Sequence, residues 1–109
     1  MIISFNKFIN EEFTSGLFKT KIKGDDLILK INVSYNPFTK VNLIKDNEIY
    51  DNLSIELPNS NELRKGEFYL NPDINKNIVR ELENQNFITK TNHTEIAGNE
   101  KTTSYILNI

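Results

Sequence analysis

From Leu17 to Val33 the chain alternates between apolar and polar side chains, with one break at Gly24. Phe18, Thr20 and Ile22 interleave with Lys19, Lys21 and Lys23, and Leu27, Leu29, Ile31 and Val33 return on the same beat. A period of two sends successive side chains to opposite faces of a strand, so one face meets a core and the other meets water. Two such runs joined through Gly24-Asp25-Asp26 read as a β-hairpin with a lysine-lined outer face. This pattern demands an antiparallel sheet.

The rest of the chain extends that sheet. Asn36-Pro37 marks a break, and Val41, Leu43 and Lys45 form a third strand that turns at Asp46-Asn47. Ile49, Leu53, Ile55 and Leu57 predict a fourth strand, ended by Pro58, which cannot donate to a ladder. Phe68-Tyr69-Leu70 is a short apolar run. Asn71-Pro72-Asp73 then offers a cap, a proline for the first helical position and a first-turn acid. Ile74, Ile78 and Leu82 recur every four residues with Val79 beside them, which predicts a helix over residues 73–84. Asn84-Gln85-Asn86 ends it, asparagine being the best residue after glycine for a left-handed cap. Phe87 to Thr91 make a strand, Asn92 to Lys101 a polar loop, and Tyr105, Ile106, Leu107 and Ile109 a last strand. The spacing of Phe5, Phe8, Ile9 and Phe13 suits an N-terminal arm or short helix over residues 1–16. The expected architecture is a single α+β domain, its core at residues 17–109. An antiparallel sheet of about five or six strands carries the helix on one face. A length of 109 residues suits one such domain.

Composition removes most enzyme classes. There is no cysteine, hence no disulfide, thiol nucleophile or thiolate metal site. The one histidine, His93, stands in the expected polar loop, and no acidic cluster has EF-hand spacing, so no metal or other cofactor is expected. No serine lies in a Gly-x-Ser-x-Gly turn, and no glycine-rich phosphate loop is present. Glu11/Glu12 and Asp25/Asp26 are adjacent acids of the kind turns use. No stretch reaches the ~20 apolar residues of a membrane span, and the N-terminus lacks the long apolar core of a signal peptide. A cytoplasmic, non-enzymatic protein with neither membrane nor small-molecule substrate is expected. Seventeen asparagines accompany fifteen isoleucines and eleven lysines, a bias that A/T-rich codons produce.

The net charge of −2 conceals a polarised chain. Residues 1–45 hold seven lysines against four acids, and residues 46–62 hold five acids and no base. The acidic stretch supplies a candidate protein-binding patch of Asp46, Glu48, Asp51 and Glu56, with Tyr50 and Tyr69 as aromatic contacts suited to a basic groove. Five acids spread over seventeen residues are also the ordinary make-up of a solvated hairpin face. Lys19, Lys21, Lys23 and Lys30 form the alternative candidate, a nucleic-acid surface aided by Phe18 or Tyr35. Lysines on one strand face also serve simply to guard a sheet against aggregation.

Two segments carry a resemblance. Asn47-Glu48-Ile49-Tyr50-Asp51-Asn52-Leu53-Ser54-Ile55-Glu56-Leu57-Pro58 resembles a Gly-Glu-Pro-Tyr…(Ser/Thr)-Val-Asn-Leu-Pro segment. The stretch from Asn75 to Ile88 resembles the Glu-Asn-Glu-Gly-Ile…Leu…Ala-Gly-Ile-Val helix that follows it. Both belong to a family of small bacterial proteins of unknown function encoded on conjugative transposons and phage-like elements, often near antirestriction genes. The resemblance implies a mobile-element accessory protein in a bacterial host cytoplasm, without catalytic residues. By analogy with anti-CRISPR proteins, it would inhibit a host defence effector by occluding a nucleic-acid-handling surface on a Cas nuclease or its ribonucleoprotein. A nucleic-acid-binding accessory or regulatory protein and a self-assembling structural component are the alternatives.

Overall fold

The computed structural model describes residues 12–108. The chain is α+β, and the described residues form eight strands in two four-stranded antiparallel sheets and one α-helix. The first sheet contains β1 (Glu12–Ile22), β2 (Asp25–Ser34), β3 (Lys40–Lys45) and β4 (Glu48–Asn52), hydrogen-bonded in chain order. The second runs β5 (Ser54–Ile55), β6 (Glu67–Leu70), β8 (Glu100–Leu107) and β7 (Ile88–Ala97). The single sheet of five or six strands is therefore corrected to two sheets.

The first sheet follows the alternation closely. Leu27, Leu29, Ile31 and Val33 of β2 are buried, as are Val41 and Leu43 of β3 and Phe18 of β1. Lys23-Gly24 and Asp46-Asn47 close its two outer hairpins, all four residues at positive φ. That is the requirement of the two-residue turn whose twist matches the strands. Lys23 sits in this conformation at φ 54°. The β2–β3 connection contains Asn36-Pro37, joined by a cis peptide bond. Glu12 to Gly16 belong to β1, with Phe13 opposite Val33, which replaces the arm or short helix there; the remainder of that expectation lies outside the described residues.

The predicted fourth strand divides at Leu53. The Leu53 amide donates to the Val41 carbonyl, 2.9 Å away, while its carbonyl accepts from the Asn71 amide at 2.8 Å. Leu53 thus pairs with one sheet through its N–H and with the other sheet's side through its C=O. The Val41 amide is satisfied by the Ser54 hydroxyl at 2.9 Å, so the switch leaves neither backbone group unpaired. Leu53 itself is wholly buried in the core shared by both sheets.

The helix α1 (Lys76–Asn84) begins later than the Asn-Pro-Asp signal suggests. Asn75 is its cap, accepting the Asn77 amide at 2.8 Å. Asn71 instead accepts the Asp73 amide and donates to the Asn52 carbonyl, building a turn ahead of the helix. Its C-terminal end matches expectation: Asn86 has φ 67°, and the Phe87 and Asn86 amides donate to Leu82 and Glu83. These two bonds form a Schellman motif. Ile78, Val79 and Leu82 face the core, and α1 packs against β1 and β7, one edge strand of each sheet. Phe18 of β1 meets Phe87 edge-on, ring centroids 6.1 Å apart. The Gln85 side chain donates to the Lys19 carbonyl, tying the helix end to β1.

The expected loop from Asn92 to Lys101 is corrected to strand, tight turn and strand, since β7 runs to Ala97 and β8 starts at Glu100. Beyond Ile88 most of β7 is exposed or half-buried, so its residues are polar without being a loop. No helix among the described residues is long and apolar enough to cross a membrane.

Candidate functional site

The outer face of the first sheet takes its residues from the polar beat of the alternation. Leu17 stands opposite Lys30, Lys30 opposite Ile44 and Ile44 opposite Ile49, one row across all four strands. Lys19 and Ile28 pair in the next row, and Lys21 and Asp26 in the one beyond. Leu17, Ile28, Ile49 and Tyr50 are 55%, 52%, 60% and 41% exposed. They are four of the five large apolar side chains exposed among the described residues, Ile96 on β7 being the fifth. Scattered apolar residues are ordinary on a surface; here Leu17 and Ile49 stand at the two ends of one row and Ile28 in the next, so four of the five gather on one sheet.

Both sequence candidates fall on this sheet, at opposite sides of it. Asp46, Glu48, Tyr50 and Asp51 occupy the β3–β4 hairpin, and β4 is the free edge. The β3–β4 register slips between Leu43 and Ile44, so Tyr50 is an extra residue in the edge strand. The Asp51 carboxylate accepts its neighbour's amide, from Asn52, at 2.8 Å. Glu56 does not join them. It lies past the Leu53 switch, on a shallow cavity of about 260 Å³ with Phe38 and Pro58. Tyr69 is removed from the patch outright, being wholly buried on β6, whose four residues are all buried.

The basic candidate is brought together in part. Lys19, Lys21 and Lys30 share the outer face, whereas Lys23 sits in the hairpin turn. Lys21 pairs with Asp26 at 3.2 Å, both side chains largely in water, where such a pair contributes little to stability. The aromatic help is absent in the form expected: Phe18 is fully buried, and the ring of Tyr35 lies under the Lys65 ammonium at 4.8 Å.

A polar cluster that the sequence did not suggest lies on the outer face of the second sheet. Glu67 and Tyr69 pair with Ile106 and Ser104, opposite in sense to the core-facing Phe68–Tyr105 stack. The Glu67 carboxylate accepts from the Ser104 hydroxyl at 2.5 Å and from Arg64 Nε at 3.1 Å. Ser104 has one proton and gives it to that carboxylate, so Thr91 must donate in the Thr91–Ser104 contact; Thr91 Oγ1 in turn accepts the His93 amide at 3.0 Å. Three donors in series thus point at one carboxylate. Burial alone would raise the Glu67 pKa, but the Ser104 and Arg64 hydrogen bonds and the Arg64 charge outweigh it and hold the carboxyl below its ordinary range.

His93 enters through a bulge. Lys90 pairs with Tyr105 and Thr94 with Thr103, leaving Thr91, Asn92 and His93 opposite the single Ser104. The swing puts His93 Nε2 3.2 Å from the Tyr69 hydroxyl and Nδ1 3.8 Å from Glu67. His93 is therefore a strand residue with two partners, not the solvated loop residue its neighbours suggest. The Tyr69 pKa is raised chiefly by burial, eased by the Asn59 side chain and pushed further by the carboxylates of Glu95, Glu67 and Glu62. Nearby, the buried Asn59 Oδ1 has no hydrogen-bond donor among the described residues. Glu67–His93–Tyr69 has the connectivity of a proton relay, yet its phenol has no exposed surface for a substrate to reach. The cluster organises the sheet.

Among the described residues no group of three or more His, Asp or Glu side chains is placed to hold a metal. Comparison with known proteins finds no matching family model, no similar curated protein and no similar solved structure.

Proposed function

We propose that this chain is a non-enzymatic binding protein of a phage or mobile element that docks through the β4 edge and outer face of the first sheet. The observation that carries the reading is the coincidence of Ile49 and Tyr50, both exposed, with Asp46, Glu48 and Asp51 on one free edge. Apolar and aromatic contact area beside carboxylates suits a basic partner surface, where charge steers encounter and the buried centre holds the complex. A nucleic-acid-handling groove on a host defence effector is such a surface. The choice of a Cas nuclease or its ribonucleoprotein rests on the resemblance of residues 47–58 and 75–88 to mobile-element proteins. The test is competition: the chain should block target-DNA binding by the host's purified Cas ribonucleoprotein, and Glu48→Lys with Asp51→Lys should abolish the block while the fold persists. A double variant that still blocks removes this edge from the reading.

Lys19, Lys21 and Lys30 on one face favour a second reading, direct binding of nucleic acid. It requires affinity that falls steeply with salt, and a flat gel-shift titration at low ionic strength excludes it.

A further inference from the structure

A groove of about 610 Å³ opens between α1 and the second sheet, away from the face described above. Four cations line it from three elements: Lys76 and Arg80 of α1, Lys90 of β7 and Lys101 of β8. Their convergence follows from two periodicities. Lys76 and Arg80 are four apart and share a helix face, while Lys101 and Tyr105 fall on alternate positions of β8, with Lys90 opposite Tyr105. None of the four cations belongs to an ion pair among the described residues. Lys76 donates to the Pro72 carbonyl, at 3.2 Å, and Arg80 to the Asn77 side chain. A concentration of unpaired positive charge in a concave site raises the local concentration of anions, and the Arg fork with Lys point charges matches phosphate oxygens.

Two carboxylates, Glu83 and Glu100, also line the groove. A nucleic-acid strand following it would pass them at the expense of repulsion, whereas a compact anion can sit among the four cations. The volume falls in the range of small-ligand sites. We infer that this groove binds a compact oligophosphate group, either free or as the phosphate end of a nucleoside polyphosphate.

The test is calorimetric titration of the full chain at low ionic strength with inorganic tripolyphosphate, ATP and a twelve-residue oligothymidylate. The expected result is saturable binding of tripolyphosphate and ATP. Arg80→Gln with Lys101→Gln should weaken it at least tenfold, and Lys19→Gln with Lys30→Gln on the first sheet should leave it unchanged. Equal affinity for both phosphates assigns the site to the phosphate chain, and tighter ATP binding adds a nucleoside subsite. Thermal melts of both double variants report that the fold is intact, and Lys90→Gln serves as the groove variant if the first pair melts early. Absence of saturable binding overturns the inference, as does equal weakening by both pairs or tighter binding of the oligothymidylate per phosphate.

Discussion

The outer faces of the two sheets obey the same alternation and reach opposite ends. On the first sheet the outward residues meet water: Leu17, Ile28 and Ile49 are more than half exposed, and the ion pair there lies in solvent. On the second sheet Glu67, Tyr69 and Ser104 of the outward face are buried, Tyr69 and Ser104 completely, and their polar groups are spent on one another and on His93. The contrast divides labour. Exposed apolar surface is held at no structural need and suits an encounter with a partner, whereas a buried, satisfied polar cluster fixes a geometry at high cost to any member removed. Leu53 joins the two regions, and the sharpest way to break the comparison is to loosen that joint. Leu53→Ala should cost about 2–5 kcal/mol through lost burial and the cavity left behind. Urea unfolding followed by far-ultraviolet circular dichroism and by tyrosine fluorescence should give coincident curves, because both sheets share one core. Separated curves would mean that the sheets unfold independently.

The next largest effect belongs to the buried carboxylate. Glu67→Gln should cost about 2 kcal/mol near neutral pH, as the bond from Ser104 becomes a neutral one and the bond from Arg64 loses its ionic partner. Because the folded-state pKa of Glu67 is depressed, its stabilisation is present above the unfolded value of about 4.3 and lost as pH falls through the folded value. Urea midpoints measured from pH 7 down to pH 3 should therefore fall more steeply for the wild type than for Glu67→Gln. Parallel acid limbs would show that the cluster does not hold that charge. Tyr69→Phe is a smaller change, about 1 kcal/mol, since it removes one neutral hydrogen bond and keeps the packed ring. Its phenol pKa is raised, so its contribution is complete below about pH 10 and lost as pH rises through the folded value. The variant should lose less stability in alkali and lack one late-titrating phenol at 295 nm.

The same contrast explains what was legible in the sequence. β2 has one wet face, so Leu27 to Val33 announce both the strand and its orientation. β6 has none, and Glu67-Phe68-Tyr69-Leu70 shows no alternation to read. Tyr69 then looks like an interface aromatic, because nothing local says that the surface beyond it is covered. β7 fails in the opposite way: much of it is solvated, so its residues resemble a loop. The split at Leu53 was hidden because a strand that changes sheets keeps its apolar beat through Ile55 and Leu57. The polar cluster joins residues 67, 69, 91, 93 and 104, which no short-range spacing connects; the lone hint was a glutamate heading an apolar run. The lysine face and acidic hairpin could be seen early because each comes from contiguous strands, and the cationic groove could not, since α1, β7 and β8 each contribute to it.

The smallest stability effect tests the comparison most directly. Ile28→Thr with Ile49→Thr replaces two exposed apolar side chains by polar β-branched ones of high strand propensity. Each site lies outside the core cluster, so the pair should shift unfolding free energy by no more than about 0.5 kcal/mol per site. The core does not include these side chains, which leaves them available for contact. The double variant should accordingly keep the wild-type melting curve, and on the proposed docking reading it loses the competition with target DNA for the host's Cas ribonucleoprotein. A large loss of stability would mean that the row from Leu17 to Ile49 is packed against something, and the division between a working face and a structural face would fall with it.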